Sequence, residues 1–209
     1  MELRDALTQI AEIRQKVAQA EEFRGYKAVP VAFSGVLALI AACCQALWLD
    51  EPTKNIGTYL MLWVGSALLS MLATGVEMAW YVRRSGSLLD RHKTYLAVTQ
   101  FLPSIGAGGL LTIVLVRNVP ETSLWMLPGL WAMLFSLGIF ASCRLLPPVI
   151  VWAGVFYLFA GALCLAFAQG DYALSPWAMG LPFGVGQLFT AALLYWTLER
   201  THEQTQEDA

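Results

Sequence analysis

Residues 56–82 read IGTYLMLWVGSALLSMLATGVEMAWYV, an apolar run broken by one carboxylate, Glu77. A helix rising about 1.5 Å per residue crosses a hydrocarbon layer of about 30 Å in about 20 residues, so this run predicts a membrane-spanning helix. Its polar residues are ordered. Tyr59, Trp63, Ser66, Ser70, Thr74, Glu77 and Tyr81 follow at intervals of 4, 3, 4, 4, 3 and 4. At about 100° per residue they fall within an arc of roughly 80°. Leu60, Leu62, Val64, Leu68, Leu72 and Val76 cover the rest and suit lipid or a greasy neighbour. Lipid cannot solvate an ionised group, so the Glu77 side of the helix is expected to face the bundle or a wet cavity.

Working outward, the whole chain has this character. Of 209 residues, 57% are apolar and 13% charged, against about 25% charged in a soluble domain. The fold class that follows is an all-α integral membrane protein of six spans, near 29–49, 56–82, 95–116, 124–142, 149–168 and 176–198, followed by a polar tail, 199–209. Ile40-Ala41-Ala42-Cys43 resembles a lipoprotein cleavage box. The apolar run continues past Cys43 and the segment before it is long and carries five acidic side chains, so Cys43 is read as a residue of the first span.

Residues 1–28 carry five acidic and five basic side chains and read as a cytoplasmic amphipathic helix rather than a signal peptide. Leu3, Ile10 and Val17 recur every seven residues, with Ala6, Ile13 and Ala20 three positions on, which makes a short seam for packing or for a partner helix. Zero net charge argues against a lipid-surface role, which favours a Lys/Arg-rich face.

With the N-terminus inside, the cytoplasmic segments hold Arg4, Arg14, Lys16, Arg24, Lys27, Arg83, Arg84, Arg91, Lys93, Arg144 and Arg200, and the outer ones only Lys54 and Arg117. That bias predicts an inner-membrane protein of bacterial type with both termini cytoplasmic. The tryptophans agree, with Trp48, Trp125 and Trp177 at outer ends and Trp80, Trp152 and Trp196 at inner ends. A faint repeat links the even-numbered spans. Met61-Leu62 with Ser70, Leu127-Pro128 with Ser136, and Leu181-Pro182 with Thr190 share one spacing, as three parallel hairpins would.

Chemistry is sparse. The four cysteines lack CxxC spacing, and both histidines, His92 and His202, lie outside the spans. No zinc, haem or other cofactor site is therefore expected, and the cysteines read as buried small hydrophobes. No basic tract is present for nucleic acid. There is no GxSxG or HExxH motif and no pair of intramembrane carboxylates, so no enzymatic activity is expected.

The candidate residues are those of the second span, Tyr59, Ser66, Ser70, Thr74 and Glu77. Gln100 and Gln187 join them because an amide at membrane depth needs a partner. Pro103, Pro128 and Pro182 each stand to free a backbone carbonyl within a span. The expected function is a small-solute or ion pathway, channel or transporter, lined by these groups. The alternative is a non-transporting subunit or signalling and assembly partner. It would act through the seam Leu3, Ile10, Ile13 and Val17 and the basic loop 83–93, with the bilayer and a second copy or another protein as partners.

Overall fold

The computed structural model describes residues 28–85, 88–143 and 147–199. All regular structure among them is helical, and six spans are long and apolar enough to cross a membrane. They are α1 (Ala28–Trp48), α2 (Ile56–Ser85), α3 (Leu88–Asn118), α4 (Leu127–Ser142), α5 (Val151–Phe167) and α6, the composite span Pro176–Thr197. Short 3₁₀ turns, Glu121–Met126 and Pro148–Ile150, lead into α4 and α5 and complete their spans. The N-terminal seam with Leu3, Ile10, Ile13 and Val17, residues 86–87 and 144–146, and the tail beyond Glu199 lie outside the described residues.

One boundary differs from expectation. The basic stretch expected as a loop is largely helical, because α2 runs on to Ser85 and α3 already begins at Leu88. Hydropathy marks where a helix enters lipid, not where it ends, and Arg, Lys and Leu all favour helix. The apolar part of α3 starts only at Val98.

Each helix packs on its neighbours in the chain, and α6 closes back on α1. The seam between α4 and α5 is the tightest. A Cβ on Gly161 would lie 2.7 Å from the Gly129 carbonyl oxygen, and one on Gly129 would lie 2.8 Å from that of Gly161. Only hydrogen fits at either position, so the two backbones pack directly against each other. Ser136 Oγ then donates to the Gly154 carbonyl at 2.9 Å across the same seam.

The bundle's middle is filled with aromatic rings. Phe135 meets Phe101 at 5.1 Å, Tyr157 at 4.8 Å and Phe183 at 5.6 Å between centroids, all edge-on, the geometry ring quadrupoles favour. Phe183 also touches two buried clusters, one joining Val31, Ile139, Ile150 and Leu194, the other Ala42, Tyr59, Trp63 and Leu174. These mark the two ends of the bundle. The first is called here the Arg84 end and the second the Lys54 end.

The prolines divide by position. Pro128 lies in the first turn of α4, where its missing N–H costs nothing, and the Leu124 carbonyl four residues earlier accepts the Leu127 N–H instead. The expectation that it frees a carbonyl is thereby corrected. Pro182 sits in a π-helical turn, Gly180–Val185, inside α6. It cannot serve the Ala178 carbonyl four residues back, and that oxygen accepts the Cys164 thiol at 3.4 Å. Pro103 lies inside α3.

The three positions of the faint repeat do not share an environment. Ser136 and Thr190 are buried while Ser70 is partly exposed, and Thr190 bonds its own helix where Ser136 bonds the next one.

Candidate functional site

The seven-residue line of α2 is the least exposed face of that helix. Tyr59 and Trp63 are buried, and Ser66, Ser70, Thr74, Glu77 and Tyr81 are partly buried. Leu68, Leu69, Leu72, Val76 and Trp80 point outward and are exposed. The helical period of the polar residues set this orientation. No residue of α2 between Val64 and Arg84 is fully buried. Ser66 and Thr74 bond within their own helix. Ser66 donates to the Leu62 carbonyl at 2.7 Å and Thr74 to the Ser70 carbonyl at 3.0 Å, both on α2 itself. Bonded this way, each oxygen keeps lone pairs to offer a solute. Glu77 and Tyr81 each take part in an interaction near the Arg84 end, where Arg84 lies over the Trp80 ring at 4.2 Å.

At the Lys54 end the line runs into a closed polar knot. Trp63 Nε1–H donates to Gln45 Oε1 at 2.7 Å, and Gln45 Nε2–H donates to the Leu174 carbonyl at 2.7 Å. Gln45, Tyr59, Trp63 and Leu174 are all at most 3% exposed. One amide thus ties α1, α2 and the α5–α6 connection together with both of its ends satisfied. Leu174 is the single described non-glycine residue with positive φ, at 55°. A bulky side chain rarely adopts this region, at a cost of about 1–3 kcal/mol. Gly170, at φ 61°, makes the turn that brings the connection inward. The Tyr59 hydroxyl is wholly buried beside this knot, with no hydrogen-bond partner among the described residues.

Of the two glutamines expected to join the line, one has a described neighbour on another helix. Gln187 packs against α1, its Cβ 3.1 Å from where a Cβ on Gly35 would stand. Gln100 lies on α3 with a buried amide oxygen that has no partner among the described residues. A shallow apolar cavity of about 220 Å³ opens between α2 and α3 at Leu60, Thr112, Ile113, Val116 and Arg117, and no residue of the polar line borders it. The cysteines are not the uniform buried hydrophobes expected. Cys43 is exposed on the outside of α1, the other three are partly exposed, and Cys164 is a hydrogen-bond donor. A helix surface that faces lipid tolerates a small thiol as readily as a core does.

Gln45 and Leu174 are the residues that sequence reasoning missed. Gln45 stands four positions before the end of its span, where an amide passes as interfacial, and Leu174 is one leucine among many. The signal that could have found Gln45 is that Trp63, unlike the terminal tryptophans, lies deep in its span and needs an acceptor.

Fold and site together define an all-helical bundle of six membrane-length spans with one inward polar line. Comparison with known proteins finds no matching family, no matching curated protein and no matching solved structure.

Proposed function

We propose that the protein is a channel or transporter for a small solute or ion, with its pathway along α2 from Ser66 to Glu77. The observation that carries this reading is the partly open line of hydroxyl and carboxylate groups on the inward face of a lipid-exposed helix. Close packing alone accounts for serines and threonines. It does not call for a carboxylate on the same line, which at this depth suits a cation or proton. The rings of Phe101, Phe135, Tyr157 and Phe183 fill the middle of the bundle, which favours a pathway beside α2. The excess of Lys and Arg on one side supports a bacterial inner membrane with both termini and Glu77 toward the cytoplasm. The reading needs no enzymatic step, metal or cofactor.

Flux into proteoliposomes tests it. Water, graded neutral solutes and monovalent cations are compared for the native chain and for Ser70→Leu/Thr74→Leu, which fills the line with apolar bulk. A solute that enters faster than into empty vesicles, and at least tenfold more slowly with the double variant, is expected. No flux of any of these, or flux unaltered by the double variant, overturns the reading. Glu77→Gln keeps the shape and removes the charge, so cation or proton flux is lost in it while neutral-solute flux is kept.

A second reading, a non-transporting subunit or assembly partner, is favoured by α3. None of the residues in its apolar window is buried, a large bare surface for one helix of a bundle. In this reading a second copy or another protein covers α2 and α3, with the N-terminal seam and the basic stretch 83–93 as further contacts. Deleting residues 1–20 would then abolish association while the line on α2 stayed dry.

A further inference from the structure

Gln45, Trp63 and Leu174 are bonded in series, and three features set this knot apart from the helix packing around it. The element it holds is a connection, not a helix. Residues 168–175 fold inward at Gly170 and place Leu174, fully buried, among Ala41, Ala42, Tyr59 and Met179. That connection is held in a backbone conformation unfavourable to leucine, with its carbonyl captured by Gln45 Nε2 at 2.7 Å. Beside it the Tyr59 hydroxyl is buried with no partner among the described residues. A buried hydroxyl without a partner is a cost that a second arrangement can relieve. Release of the connection would relax Leu174 and admit water to Tyr59 at the same moment. Between Val64 and Arg84, by contrast, no residue of α2 is fully buried.

We propose that the Gln45–Trp63–Leu174 chain is a releasable latch that closes the Lys54 end of the α2 line. When it opens, Tyr59 becomes the first polar group that a solute meets from that side. The proposal deepens the pathway reading and rests on it. It assigns the gate to three residues outside the line's own hydroxyls. Its polarity is also fixed: the line is reachable from the Arg84 end while the latch is shut, and from both ends when it is open.

The test uses full-length protein in proteoliposomes, free of native cysteines, with Ser66→Cys as the reporter just beyond the latch. A membrane-impermeant thiol reagent is added from either side. With the latch intact, labelling is expected from the Arg84 side and at least tenfold slower from the Lys54 side. Gln45→Leu, which keeps bulk and removes both bonds, should raise labelling from the Lys54 side at least tenfold. Trp63→Phe removes one bond, keeps the ring, and should act in the same direction less strongly. Ala132→Cys, in the packed half, is the folding control and should stay unreactive throughout. Equal labelling from both sides with the latch intact, or no change with either variant, overturns the latch while leaving a wet line in place. Reactivity that spreads to Ala132→Cys also overturns it, since the bonds then hold the bundle and not a gate. Ser66→Cys unreactive from both sides in every background removes the pathway reading, and the latch with it.

Discussion

The α4–α5 seam and the α2–α3 seam join consecutive helices, and both carry glycines, yet they are opposites. Across the first, Gly129 and Gly161 meet backbone to backbone and Ser136 bonds Gly154. On the second pair of helices, Gly57, Gly65, Gly75, Gly106 and Gly109 have nothing within 4 Å of where a Cβ would stand. The same residue type is a packing requirement in one place and a bare backbone in the other. Small residues let helices approach, but approach happens only where both partners are small and the surrounding side chains interlock. At the α2–α3 pair the few contacts leave the helices free to face lipid, solute or another chain. The proposed pathway and the alternative assembly surface both fall on that side of the bundle.

Substitutions can break this contrast, and the largest effect is expected where the open half is tied to the packed one. Gln45→Leu leaves the Trp63 N–H and the Leu174 carbonyl buried without partners, at about 1–3 kcal/mol each. A markedly lower unfolding temperature in detergent is expected for the α2 region, followed by the intrinsic fluorescence of the chain. Gly161→Ala comes next. Its Cβ would sit 2.7 Å from both the Gly129 oxygen and the Met133 side chain, and overpacking costs about 1–3 kcal/mol. Thermal unfolding by circular dichroism should show the loss. Ser136→Ala removes one interhelical bond across the same seam and should cost only about 0.5–1.5 kcal/mol.

Gly65→Ala and Gly106→Ala are the sharpening cases. With nothing to strike, each should leave stability unchanged or raise it by about 0.5–1 kcal/mol through helix propensity. If instead either lowers stability or dissociates an oligomer on size-exclusion chromatography, that face is covered by a second chain, and the assembly reading gains what the pathway reading loses.

Much of the architecture is legible in the sequence. Each span is a sum over some twenty residues, and such sums are robust to local ambiguity. The inward face of α2 was legible because its seven polar residues keep the helical period without a break. The site's closure was not. Gln45 meets Trp63 across 18 positions and Leu174 across 129, and no local pattern encodes either pairing. Nor does the sequence distinguish Gly161 from Gly65, since the difference lies in what another helix brings to the contact. The start of α3 at Leu88 is hidden from hydropathy, to which Asp90 to Lys93 look like a loop. Gln187 meets α1 at Gly35, a partner that only packing decides.

Cysteine accessibility along α2 tests the central claim, that its inward line is wet below a dry end, most directly. On a background without native cysteines, single cysteines at Ser66, Ser70, Thr74 and Glu77 are compared with Leu68 and Leu72, in liposomes treated with a membrane-impermeant thiol reagent. The account predicts labelling of the four line positions and none of the two lipid-facing controls, following the 3–4 residue spacing of the line. A line as unreactive as Leu68 and Leu72 would mean a dry face, and would contradict it.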